Sequence, residues 1–147
     1  MNKLSQEEWE ASIQRIGIVA GCIIFRDGKY LMVQERQEKV YGLWNVPAGY
    51  VDNGEEAETA AIREALEESG YEVVLEGLIG LYHDTTFEPL KHVYEARVVG
   101  GDLRIQEDEI LDAKWLTFTE IKNLNKDKKL RARWIFDAIC RAEEKRT

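Results

Sequence analysis

The stretch Gly49–Tyr71, GYVDNGEEAETAAIREALEESGY, gathers the residues best suited to chemistry: Arg63, Glu64, Glu67 and Glu68 within little more than one helical turn. At about 100° per residue, Ala57, Ala60 and Ala61 share a stripe that Glu64, Glu67 and Glu68 continue. Alanines let a helix lie close to a neighbour, and glutamates on the same stripe are carried toward that neighbour too. Two carboxylates roughly 4 Å apart repel by about 4 kcal/mol at an effective dielectric near 20. One arginine does not offset three of them. A hard divalent cation with oxygen ligands does.

The rest of the composition bounds what such a site can serve. With 147 residues, 44% apolar and 33% charged, the chain is long enough for one domain with a real core. A net charge of -8 and a pI near 4.9 argue against general binding to nucleic acid or anionic membrane, which needs a Lys/Arg patch. The same charge makes a polyphosphate substrate awkward unless metal ions screen it. Cys22 lies in an apolar run and Cys140 in an amphipathic segment, so both read as reduced, mostly buried thiols without metal-type spacing. The polar start MNKLSQEEWEAS has no apolar core of a signal peptide, and no run nears the ~18 apolar residues of a membrane span. The expectation is a soluble cytoplasmic protein.

The elements that must position the glutamates can be taken in order. Ser5 with Glu7 and Glu8 caps a short helix to about Ser12. Ile16 to Arg26 is β-branched and nearly all apolar, as suits a strand covered on both faces. Asp27-Gly28 signals a hairpin into a strand from Tyr30 to Gln34. Glu35 to Gly42 reads as a mobile loop, Leu43 to Val46 as a short strand stopped by Pro47, and Gly49 as part of a tight Gly-rich loop. Glu72 to Leu81, His92 to Val99 and Asp112 to Leu116 are further strands. Thr119 is placed to cap a helix through Leu124. From Lys128 the period is helical, with Leu130, Trp134, Ile135, Ala138 and Ile139 on one face. This order predicts an α/β protein, an α/β/α sandwich with a mixed sheet, over residues 1–147.

Written as a template, the central stretch has Gly49, five residues, Glu55, seven residues, Arg63-Glu64, two residues, Glu67-Glu68, one residue, Gly70. This resembles the Nudix box, the signature of the Nudix hydrolases, which cleave a nucleoside diphosphate linked to another group. All seven fixed residues are present, and a chance match at one start point is on the order of 10⁻⁹ from average residue frequencies. Ala65 stands where a larger aliphatic is usual, and Tyr71 at the final hydrophobic position. The family's Trp-x-x-Pro lead-in is matched by Trp44-Asn45-Val46-Pro47, with Ala48 where a second Gly is common.

The resemblance implies roles. Glu67 and Glu68 correspond to metal ligands, the competing reading being a solvated acidic face. Glu64 corresponds to a ligand or general base, and the Gly49 carbonyl to a further ligand. Mg²⁺ is the implied ion, with Mn²⁺ as a substitute. Arg63 would orient the carboxylates. Glu55 is open between capping the helix, supporting the metal site and meeting substrate. Glu109, in the Glu107–Glu109 run, is a second candidate base or ligand, against a solvated charge run. Arg36 is a candidate phosphate contact. His83 and His92 lack ligand spacing. Trp44, Tyr82 and Phe87 could stack on a ring, with core packing the alternative for Trp44.

The implied activity is hydrolysis of a phosphoanhydride in a nucleoside di- or triphosphate or a related small pyrophosphate. Hydrolysis of ADP-ribose, nucleotide sugars, dinucleoside polyphosphates or capped RNA is the alternative within the family. A non-catalytic ligand-binding module would predict a broken box, and a calcium-binding protein would need a D-x-D-x-D-G loop that is missing. The resemblance also suggests a homodimer.

Overall fold

The computed structural model describes residues 3–85 and 88–146; Phe87, a candidate for stacking, lies outside them. Strand β1 (Ile18–Arg26) is central. It runs parallel to β6 (Leu90–Gly101), with Ile18 to Ile24 opposite Leu90 to Ala96. Beyond it, β6 pairs antiparallel with β5 (Tyr71–Tyr82). On its other edge β1 takes the short strand β4 (Ala48–Tyr50), Ala20 opposite Gly49. The far end of β1 turns through Asp27 and Gly28 into β2 (Lys29–Glu35), which pairs with β3 (Trp44–Asn45) and β7 (Ile110–Thr117). Both turn residues have positive φ, 52° and 79°, as a tight two-residue hairpin requires.

The alternation of β1 explains why helices cover both faces. Ala20, Cys22 and Ile24 join a core cluster with Ala60, Ala61 and Ala65 of α2 (Ala57–Ser69). Ile23 points into a second cluster with Trp134, Ile135, Ala138 and Ile139 of α4 (Arg133–Glu144) and Ile121 of α3 (Phe118–Lys126). The α/β/α arrangement on a mixed sheet is the expected one. Short helix α1 (Gln6–Ser12) carries the predicted Ser5 cap, closed reciprocally by Glu8, and buries none of its residues.

Several boundaries differ from the sequence reading. Gly49 is not in a loop: it is the middle of β4, recruited by the free edge of β1. The charged segment after β2 is not irregular throughout, since Glu38–Val40 forms a turn of 3-10 helix. Thr117, not Thr119, caps α3, with Glu120 completing the reciprocal pair. The helical period seen from Lys128 begins as something else. Lys128 has φ 57°, Leu130 bridges to Trp44, and the Trp44 amide donates to the Lys129 carbonyl at 2.8 Å. Leu130 still packs beside α4's apolar face, so its burial was legible although its conformation was not.

Helix α2 approaches β1 closely because its facing side chains are methyl groups. The Cys22 thiol reaches the Ala61 carbonyl at 3.5 Å. Residue 70 ends the helix in the left-handed conformation, φ 82°, and a Cβ there would strike the Asp102 carbonyl. Space along this interface is therefore the limiting quantity. Ala61→Leu is expected to cost about 1–3 kcal/mol through overpacking, read as a lower midpoint in urea unfolding; an unchanged midpoint would contradict the close approach.

Candidate active site

Helix α2 turns its alanine stripe into the sheet, and Glu68 follows it there. Glu68 is only 6% exposed, and one of its oxygens accepts the Ala48 amide of β4 at 2.9 Å. Glu64, one turn earlier, has a side chain 13% exposed. The two line a cleft of about 670 Å³ with Gly49, Glu35 and Glu109. Glu67 is on the rim: its side chain is 45% exposed and is absent from the cleft wall. The buried stripe is thus Ala60, Ala61, Ala65 and Glu68, with Glu67 rotated toward solvent.

Arg63 organises this set. Its guanidinium meets Glu55 through two hydrogen bonds of 2.8 and 2.9 Å, Glu64 at 2.8 Å and Glu67 at 3.2 Å. It also donates to the Tyr50 carbonyl at 3.0 Å and lies 3.6 Å from Asp52. Glu55 does not begin the helix, which starts at Ala57 with Glu56 as the capping position. It sits in the preceding turn, where one oxygen also accepts the Asp52 amide at 3.1 Å. Those bonds hold its carboxyl down to about 2. Glu55 therefore neither caps α2 nor lines the cleft; it grips Arg63.

Gly49 has a reason in this geometry. A Cβ built there would overlap the carboxylate of Glu64, so any larger residue would push that carboxylate out of its present position. Glu109 occupies the turn before β7, with its carbonyl accepting the Arg36 amide at 3.0 Å. Its side chain is exposed and reaches the cleft. Arg36 is placed less usefully: its side chain is exposed and is not part of the cleft wall. His83 and His92 also lie off the wall. The Tyr82 hydroxyl donates to Asp137 at 2.7 Å, and Trp44 packs against the second core.

Glu35 was missed. The sequence reading assigned it to a loop, yet it closes β2 on the face of Leu31 and Val33, which point into the α2-side core. Period-two alternation extended by two residues would have found it. It is 7% exposed, and Asn45 donates to it at 3.0 Å while Arg131 lies 3.9 Å away. Lys91 and Arg131 also line the cleft, from segments whose position the sequence did not reveal.

Charge in the cleft follows from burial. Burial pushes the Glu68 carboxyl well above the usual carboxylate range, and Glu64, Glu35 and Glu109 add to the rise against the Ala48 hydrogen bond. Burial also raises Glu64, with Arg63 opposing and Glu67 and Glu109 adding. Burial pushes the neighbouring Cys22 thiol up to about 12, with Glu68 contributing, so Cys22 is no thiolate nucleophile.

Among the described residues no three acidic, His or Cys side chains already form a single ligand-ready set. Arg63 holds Glu64 and Glu67, and the Ala48 amide holds one oxygen of Glu68. The chemistry of the donors nonetheless fits a hard divalent ion: all are oxygens, two are carboxylates crowded in a buried setting, and the Gly49 backbone abuts one of them.

Comparison with known proteins shows the family. A NUDIX domain model matches residues 15–138, and the chain belongs to the NUDIX hydrolase family. It is 34% identical over 98 residues to a Bacillus subtilis protein provisionally named as an 8-oxo-dGTP diphosphatase, covering 67% of this chain and 64% of that one. It is 32% identical over 108 residues to an ADP-ribose pyrophosphatase of Methanocaldococcus jannaschii, covering 71% and 62%. The chain thus spans under two thirds of the length of these curated relatives. A solved NUDIX hydrolase of Nitrosomonas europaea superposes with a TM-score of 0.80 at 29% identity, covering 88% of this chain and 90% of that one.

A carboxyl whose pKa is raised by folding adds stability below its unfolded value, and that stability is lost as pH climbs through the folded value. Glu55, held low, acts only in more acid solution. With metal chelated, the melting temperature is therefore expected to fall between about pH 5 and pH 8. Glu68→Gln should raise it at pH 8 and flatten the decline, at about 2–4 °C per kcal/mol for a chain this size. A Glu68→Gln protein that melts lower at pH 8, by calorimetry, would contradict the assigned burial.

Proposed function

We propose that this protein is a divalent-metal-dependent hydrolase of a phosphoanhydride bond in a nucleoside-diphosphate-based substrate, with nucleoside di- and triphosphates the leading candidates. The observation that carries this reading is the pair of buried Glu68 and partly buried Glu64, set in a cleft, with the Gly49 backbone abutting Glu64. An acidic cleft would repel a polyphosphate on its own. It suits one when cations stand between.

Glu64, Glu67, Glu68 and the Gly49 carbonyl would hold Mg²⁺, or Mn²⁺ in its place. When bound, such an ion would offset the negative charge that develops on the phosphates and would acidify a water molecule. The chain supplies the rest. Arg63, locked by Glu55, keeps Glu64 and Glu67 aimed, so that little reorganisation remains at the moment of reaction. Glu64 or Glu109 accepts the proton of the attacking water. Phosphoryl transfer of this kind rests on positioning and charge neutralisation, and no covalent nucleophile is invoked.

The names of the relatives support the substrate class, since one refers to a nucleoside triphosphate and the other to ADP-ribose. Hydrolysis of ADP-ribose or a nucleotide sugar is the second reading, favoured by that second relative. Among the described residues no helix is long and apolar enough to cross a membrane. A cytoplasmic setting and a homodimer complete the proposal.

A phosphate-release screen over nucleotides, ADP-ribose and nucleotide sugars with Mg²⁺ or Mn²⁺ tests it, run with and without added phosphatase to tell pyrophosphate from phosphate release. Glu67→Gln and Glu68→Gln should each lower turnover by at least about a hundredfold. Turnover near the wild-type level in either variant would sink the mechanism.

A further inference from the structure

The cleft has a second end that the carboxylates do not use. Tyr50 of β4, Val19 of β1 and Lys91 of β6 lie in one row across the sheet, two inter-strand spacings, or about 10 Å, from the first to the last. Gly49 is the neighbour of Tyr50, so Lys91 stands well away from the Gly49–Glu64 contact. Its side chain is 8% exposed, and its polar partner among the described residues is Glu88, three residues earlier, at 3.3 Å and itself half exposed. Lysine is rarely buried this deeply without a buried counter-ion, because desolvating an ammonium is expensive. Around it the wall is apolar, with Val19, Pro89 and Trp134.

Trp134 adds an independent observation. It lines the same cleft, is 4% exposed, and its indole N–H is the one buried side-chain polar group without a partner among the described residues. Tyr82, the cross-strand neighbour of Lys91, has its ring centroid 6.1 Å from that of Trp134. Lysine and indole both donate and neither accepts. A largely apolar wall carrying these two donors is suited to a ring that presents acceptors.

We propose that Lys91, with Trp134, forms a nucleobase subsite at the far end of the cleft that selects bases carrying keto oxygens, such as guanine and uracil, over bases carrying exocyclic amino groups there, such as adenine and cytosine. The proposal rests on the hydrolase reading for its choice of ligand class but concerns a different end of the cleft. An amino edge would set donor against donor and leave the ammonium with the exposed Glu88 carboxylate alone. A keto edge gives it a second acceptor.

Nucleoside 5′-monophosphates test it, because they carry the base but no anhydride to cut. Calorimetric titration with GMP, UMP, AMP and CMP in Mg²⁺ is expected to show the first two binding at least about tenfold more tightly than their amino counterparts. Lys91→Met should bring all four within about threefold of one another, and Lys91→Arg should keep the preference. If Lys91→Met does not fold, the wild-type preference and its retention in Lys91→Arg still decide. Equal affinity of the wild type for all four, no binding of any of them, or an equal loss for all four in Lys91→Met would overturn the proposal. The last pattern would mean that Lys91 meets phosphate or merely balances charge. A wild type that shows the preference but cuts no anhydride would leave this subsite standing and the hydrolase reading fallen.

Discussion

Glu68 is carried below the surface by the same alanine face that packs α2 onto the sheet, and most of the site follows from that one burial. A carboxylate in such a position is costly to ionise, and Glu64, Glu35 and Glu109 raise the cost further. The fold offsets little of it: one amide of β4 donates to Glu68, and among the described residues no cation pairs with it. A divalent ion in the cleft would relieve this tension. Stability and ion binding are thus opposed at this residue, as is common where a site is built before its ligand arrives.

Arg63 manages the remaining charge. By spending two hydrogen bonds on Glu55 it fixes its own plane, and only then reaches Glu64 and Glu67. Its bond to the Tyr50 carbonyl ties that arrangement to β4, the strand whose Gly49 abuts Glu64. Helix, turn and strand are therefore cross-braced through a single guanidinium. A lysine could not do this, since it lacks the planar fork that meets several acceptors at once.

The helix-borne half of the site was legible because helical spacing is local. Glu64, Glu67 and Glu68 could be placed on one stripe of α2 before any tertiary contact was known, although Glu67 turns toward solvent, and Gly49 was marked by its fixed distance from them. What stayed hidden depends on strand pairing. Glu35 reaches the cleft because β2 runs one residue further than its charged composition suggests, and Gly49 lies in a strand because β1 had a free edge to fill. Lys91 and Arg131 arrive from segments distant in sequence, and no periodicity relates them to α2. Of the roles left open for Glu55, capping is the one the structure does not show. A carboxylate near a helix start suits the dipole, but here its bond to Arg63 took precedence.

The central claim is that buried Glu68 belongs to a divalent-ion site. Calorimetric titration of Mn²⁺ into chelator-treated protein at pH 6 and pH 8, with wild type and Glu68→Gln side by side, tests it most directly. Protons compete with the ion for raised carboxylates, so the wild type should bind more tightly at pH 8, and the variant at least about tenfold more weakly there. Equal Mn²⁺ affinity in the two proteins, or no binding by the wild type at either pH, would contradict the account.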